Sequence, residues 1–291
     1  VYLNTTLKVA QPIVTALLGE LALNVVGQRE KIGSWRGSVF VQDGVKYVAT
    51  MHPAVIFTEP RMRAGIRQDF VRIAREAAKP EMMVVYKDKF QVCVSPSQFV
   101  KTLHDLSGRQ VALDIETTYG KAIDVQLNTI GIAWSAEEAM NVNFGDLSPQ
   151  EEQMVIDGLS TFDGDWITAT PFDYTVLHRY GVRFNWLRCH DLTLLHSRFD
   201  IELPHTLEFI ASMWTERPFW KYLNHSDPYR YNCLDCVGEY EAFRRLYMHC
   251  MIHAKGVLNC YEADRKLEKL AVEFMLNGLP ASPIAFAAEK A

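Results

Sequence analysis

No apolar run in this 291-residue sequence approaches the roughly 18 to 20 positions a membrane-spanning helix needs, so no membrane partner is expected. Cysteine is scarce, with 6 residues spread thinly and none before Cys93. That excludes a disulfide framework and points to reduced thiols in a cytosolic setting. No signal peptide is visible, although Val1 is not a natural start and an incomplete N-terminus is expected. Disorder is excluded by an apolar fraction of 48%, which is enough to fill cores. The length sets a soft expectation of two domains. The net charge of −5 hides an asymmetry: residues 1–80 carry 11 Lys/Arg against 6 Asp/Glu, and the rest carries 19 against 29. A basic first part beside an acidic second part is compatible with phosphate binding next to a metal-dependent site.

The stretch Val111-Ala112-Leu113-Asp114-Ile115-Glu116-Thr117-Thr118 reads as a buried strand ending in a polar site. Side chains alternate along a strand, so Asp114 and Glu116 point to one face. Two carboxylates held side by side repel and are costly to bury, so they want a cation. Hard oxygen ligands select magnesium or manganese. A solvated strand end explains the same tripeptide, and Asp-x-Glu alone is a weak signal. Asp173 opens a helical stretch behind the strand-like Trp166-Ile167, where an acid is either a cap or a ligand. Tyr231 and Asp235 lie four apart and share a helix face. They could serve a metal-held water, or equally be a satisfied tyrosine and a surface acid.

A competing pattern runs through the same residues. Tyr231-x-Cys233-x-x-Cys236, then Tyr240, Leu246, His249 and His253, has the spacing of a two-cysteine, two-histidine zinc finger. A finger needs both cysteines on a hairpin knuckle. Leu234, Val237, Tyr240, Phe243, Tyr247 and Met251 keep helical spacing instead, which favours one continuous helix.

Around this centre the pattern alternates strands and helices, which gives an α/β layer. Strands are expected at residues 82–86, 90–94, 128–133 and 140–144. Ser95-Pro96-Ser97 and Ser148-Pro149-Gln150-Glu151 mark helix starts. Lys79-Pro80 marks a boundary. Before it come a strand at 12–18, a helix at 20–26, a hairpin of strands 38–42 and 46–50 across Asp43-Gly44, and a helix at 62–78. That helix places Ile66, Phe70, Ile73 and Ala77 on one face and Arg63, Arg67, Arg72 and Arg75 mostly in solvent.

Together the four acids and the tyrosine resemble the 3′–5′ exonuclease domain of the DEDD superfamily, tyrosine subclass, of family A DNA polymerases. Asp-x-Glu-Thr on a strand, Phe-Asp entering a helix and Tyr-x-x-x-Asp on a late helix stand in the family's order. Residues 203–211 and 214–221 resemble the connecting region of proofreading exonucleases. The resemblance covers residues 82 to about 255 and implies an α/β, ribonuclease H-like fold with a mixed central sheet. It implies Asp114, Glu116, Asp173, Tyr231 and Asp235 as catalytic residues. Asp114, Glu116, Asp173 and Asp235 would hold two Mg2+ or Mn2+ ions, and Thr117 would bind the terminal nucleotide of a single-stranded DNA 3′ end. One departure stands out: the family's usual asparagine four residues before the second-motif aspartate is here Ala169, between Thr168 and Thr170. It bears on the level of activity rather than on the ligand set.

Residues 1–78 resemble the C-terminal half of family 4-like uracil-DNA glycosylases through Leu18-Gly19, Trp35-Arg36-Gly37 and His52-Pro53-Ala54. The family's glycine-rich catalytic loop has no counterpart, and its iron–sulfur cluster cannot be built here. A smaller α/β half-domain is expected, a truncated glycosylase or a scaffold or DNA-binding surface, with His52 a vestige. Residues 256–291 read as a long helix ended at Asn277-Gly278 and resemble the lead-in to a family A polymerase domain. The whole is expected to be a piece of a phage-encoded fusion, acting in the host cytoplasm on primer-template DNA, with its polymerase domain outside this chain. A non-catalytic DNA-binding scaffold and an RNA-trimming exonuclease of the same superfamily are the alternatives.

Overall fold

The structure is a computed structural model that describes residues 2–27, 31–79, 81 and 85–278. It opens with α1 (Tyr2–Ala10), β1 (Thr15–Leu18), α2 (Glu20–Val25), α3 (Ile32–Trp35), β2 (Val39–Gln42), β3 (Val45–Thr50) and α4 (Met62–Ala77). These strands form one small mixed sheet in the order β1-β3-β2. The β2–β3 hairpin turns where the sequence says it should. Asp43 and Gly44 both take positive φ, at 50° and 75°, the backbone shape a two-residue turn needs to match strand twist. The expected strand at 12–18 is shorter and half-exposed, because only Leu17 of β1 faces the core.

Helix α4 forms as expected, but its packed face is another one. Ile66, Asp69, Arg72 and Glu76 are buried, while Phe70 is 42% exposed. Arg72 is therefore not a solvated residue: it donates to the carbonyls of Ser212 and Thr215 and pairs with Glu76 and Glu216. Counting hydrophobic residues misses a helix face made of charges that satisfy one another.

A second, larger layer follows: β4 (Lys89–Gln91), α5 (Pro96–Asp105), β5 (Gln110–Thr117), β6 (Leu127–Ala133), β7 (Glu138–Asn143), α6 (Pro149–Thr161), β8 (Asp165–Thr168), α7 (Pro171–Arg179) and β9 (Cys189–Asp191). Then come α8 (Leu192–Phe199), α9 (Leu207–Trp214), α10 (Pro228–His253), α11 (Lys255–Asp264) and α12 (Glu268–Asn277). The sheet order is β4-β7-β6-β5-β8-β9, with β6 antiparallel to both β5 and β7 and the other pairs parallel. The expected strand at 82–86 falls largely outside the described residues. Ser148 and Glu151 close a capping box on α6.

Alternation along β5 divides the core. Val111, Leu113 and Ile115 pack with α5, α6 and α7 on one face of the sheet. Ala112 faces the other way, toward α8, α9 and α10. Residues on that second face are small (Ala112, Gly131, Ala133, Ala139), so α10 lies close against the sheet. A Cβ on Gly131 would stand 2.1 Å from Asn232 Oδ1 and 2.7 Å from Cys236 Sγ. Gly131 pairs with Asp114 in the β5–β6 register, so this close approach sets α10 directly over the first acid. Helix α10 runs unbroken through Cys233 and Cys236, which rules out the zinc knuckle. The expected long C-terminal helix is interrupted: a 3-10 turn at Arg265–Leu267 separates α11 from α12, and residues 279–291 lie outside the described ones.

Candidate metal centre

Asp114 and Glu116 project from the end of β5 onto the α10 face, as period two requires. Asp235, one turn into the buried part of α10, meets them there. Carboxylate oxygens of Asp114, Glu116 and Asp235 all lie within 4.8 Å of one another, the one such set among the described residues. Asp173 stands in the first turn of α7, and Thr170 caps that helix. Its Oδ1 accepts from the Ile115 N–H at 3.4 Å, between the two strand acids, so it sits at the edge of the set rather than inside it.

Donors converge on Asp235 and Asp114. Lys221 Nζ reaches both Asp235 oxygens at 2.8 and 2.7 Å and the Tyr231 hydroxyl at 2.9 Å. Trp220 Nε1 donates to Asp235 Oδ1 at 2.6 Å. Its ring lies on α10 where only glycine leaves room: a Cβ at Gly238 would stand 2.9 Å from the indole. Asn232 Nδ2 donates to Asp114 Oδ2 at 2.7 Å, and Asn141 holds Asn232 in turn at 3.2 Å. Thr117 is partly buried, its hydroxyl donating to the Thr118 carbonyl at 3.0 Å. Ala169 offers no side-chain group, and its carbonyl accepts from Thr193.

The electrostatics favour a cation at these acids. Burial, then Asp235 and Glu116, push the Asp114 carboxyl well above the usual range. Burial, then Asp235, raises Glu116 to about 7. Burial also raises Asp173 to about 7, against the backbone N–H groups that favour its charged form. Burial opposes the Lys221 ammonium, but Asp235 and Tyr231 outweigh it and hold that charge firmly. Burial and Asp235 raise the Tyr231 phenol, so it stays protonated. Glu239, one turn beyond Asp235, is fully buried with neither carboxyl oxygen hydrogen-bonded among the described residues, and burial followed by Asp114 raises it strongly. Such a donor set, three hard oxygens close together and short of positive charge, fits a divalent ion such as Mg2+ or Mn2+.

Sequence reasoning named the four acids and Tyr231, of which the structure brings Asp114, Glu116 and Asp235 together, but gave no role to Lys221, Trp220, Asn232 or Glu239. Asn232 and Glu239 left a trace, since they continue the inward face of α10 that Asp235 marks. Lys221 and Trp220 left none, because a loop carries them in.

No family model matches the chain, and no curated protein does. Solved structures do. The POL domain of Pol1 from M. smegmatis, in complex with DNA primer-template and dNTP, aligns over 64% of this chain at 13% identity and a TM-score of 0.52. Only 31% of that polymerase chain is covered. The catalytic core of RRP6 from Trypanosoma brucei aligns over 84% of this chain and 73% of its own, at 14% identity and a TM-score of 0.51. NrnC of Brucella melitensis aligns over 67% of this chain and 95% of its own, at 18% identity and a TM-score of 0.50. With its mixed central sheet and helices on both faces, the chain has the ribonuclease H-like exonuclease fold.

Proposed function

We propose that the chain is a metal-dependent 3′–5′ exonuclease acting on DNA 3′ ends, in the context of a family A polymerase. The observation that carries it is the carboxylate set of Asp114, Glu116 and Asp235, built by the central strand and the long helix of this fold. Those three would hold a divalent ion, and Asp173 would help hold a second. Bound Mg2+ or Mn2+ would lower the pKa of the attacking water and stabilise the leaving 3′ oxygen. The protein's own groups do the rest. Asn232 and Trp220 fix Asp114 and Asp235 in place before substrate arrives. Tyr231 keeps its phenolic proton and orients the attacking water by hydrogen bonding. Lys221 supplies the positive charge that the protein itself brings to these acids. Thr117, at the open end of β5, receives the terminal nucleotide.

The test uses oligonucleotides labelled at either end, as DNA and as RNA, with Mg2+, Mn2+ or chelator. Stepwise shortening of 5′-labelled single-stranded DNA, lost in chelator, is the expected result. Faster shortening of RNA would move the substrate class. Tight DNA binding with no shortening in either metal would make the fold a scaffold and overturn the reading.

A further inference from the structure

The N-terminal sheet and the acidic centre are joined by one short piece of chain. Residues 212–221 leave α9, pass along the N-terminal layer and arrive at Asp235. Arg72 of α4 takes the carbonyls of Ser212 and Thr215 at 3.2 and 2.8 Å, and pairs with Glu216 at 2.9 Å. Arg217 turns the other way, to Asp88 at 2.8 Å and over the Tyr86 ring. Phe219 then turns back and is buried in the core of the N-terminal sheet. Its ring lies 5.4 Å from Trp35. The next two residues, Trp220 and Lys221, are those that donate to Asp235 and Tyr231.

The geometry points to this segment as a strap by which the N-terminal sheet sets the acidic centre, with Phe219 its positioning residue. Anchored, Phe219 leaves two peptide units in which to place an ammonium between the Asp235 oxygens, so Lys221 has little freedom. Released, the lysine would sample many rotamers, and its charge would spend less time at the acids. The N-terminal layer thus acts on the centre through Phe219 and through the contacts of Arg36, Arg72 and Lys79 with residues 212–216, without lending it a reacting group. Its effect on nuclease rate rests on the function proposed above, whereas its effect on cation binding does not.

Mn2+ binding, read by titration with electron paramagnetic resonance, tests the strap without turnover. The Lys221 ammonium competes with a divalent ion for Asp235, so Lys221→Met is expected to tighten Mn2+ binding by about three- to tenfold. Phe219→Ala is expected to tighten it in the same direction by less, and Phe219→Leu to restore the wild-type value. The double variant Phe219→Ala/Lys221→Met should match Lys221→Met alone, because both act through one group. Where thermal melting shows Phe219→Ala to be unfolded, Glu216→Gln, which removes the ion pairs to Arg72, Lys79 and Arg245, takes its place in the cycle. Unchanged Mn2+ affinity in the folded strap variant, or two effects that simply multiply, would overturn the inference. A wild-type chain without nuclease activity but with this Mn2+ pattern would keep the strap and discard the exonuclease. Nuclease activity without the pattern would do the reverse.

Discussion

Both layers bury charge, and they do so in opposite ways. In the N-terminal layer every buried charge has its counterpart. Asp69 accepts from Arg36 and from Thr50 at 2.7 Å. Lys46, 1% exposed, pairs with Glu76 and donates to the carbonyls of Glu76, Lys79 and Glu81. Arg72 lies between Glu76 and Glu216. In the acidic centre Asp114, Glu116 and Asp235 cluster, with Asp173 and Glu239 beside them, and among the described residues Lys221 is the one ammonium paired with the cluster. Buried pairs that balance are fastenings, which cost little once complete and much when one member is lost. Buried carboxyls that outnumber their cations oppose folding, and are tolerable where an ion arrives to balance them.

That contrast can be broken by removing one acid from each layer's logic. Asp114→Asn should abolish exonuclease turnover, by on the order of 10^3-fold or more. The same change should raise the metal-free melting temperature, since it relieves repulsion and keeps the shape. A nuclease rate near wild type would end the proposed role of the acidic centre. A lowered melting temperature would mean that Asp114 is fastened as Asp69 is. Arg36→Met runs the opposite experiment. It strips Asp69 of its guanidinium and should cost about 3–5 kcal/mol in urea unfolding. A cost under about 1 kcal/mol would place that pair among surface bridges rather than fastenings.

The next effect is smaller and depends on pH. Glu116 and Asp173 are pushed to about 7 in the fold, above their unfolded values. The folded chain therefore holds protons that the unfolded chain has released, and stability falls as pH rises. His190 and His196, lowered by burial to about 4 and about 3, work the other way: at pH 6.5 only the unfolded chain still half-protonates them, and the smaller rise they give is over by about pH 7.5. In chelator, the melting temperature should thus drop between pH 6.5 and 8, and added Mg2+ or Mn2+ should restore more of it at pH 8 than at 6.5. A flat profile with no metal response would remove the charge imbalance from the centre.

Much of this was readable beforehand, for reasons that also mark the limit. Period two along residues 111–117 put Asp114 and Glu116 on one face, and period 3.6 through residues 231–251 overruled the zinc spacing. Both are local regularities, carried by the backbone itself. Arg72 was missed because its place depends on Ser212 and Thr215, more than a hundred residues away, and Lys221 because a loop without periodicity brings it to Asp235 and Tyr231. The break between α11 and α12 was missed because no glycine or proline marks it. The glycosylase-like resemblance of residues 1–78 rests on short peptides, and the three-stranded sheet they build neither repeats nor refutes it.

Glu268 supplies the smallest and cleanest test, because it combines an unbalanced buried acid with a place outside the centre. It stands in the first turn of α12, 5% exposed, with Oε1 lacking a hydrogen-bond partner among the described residues. Burial raises its carboxyl to about 7. Below about pH 4.5 the acid is neutral in both states and contributes no difference; as pH climbs through 7 the unfolded chain alone is ionised comfortably. Glu268→Gln should therefore match the parent at pH 4.5 and exceed it by about 1–3 kcal/mol at pH 8, with Mn2+ affinity unchanged. Subtracting the two unfolding curves cancels the histidines and leaves only this side chain. Equal stability at pH 8 would show that an ionised Glu268 finds a partner, and that unpaired acids outside the centre are not under strain as those within it are.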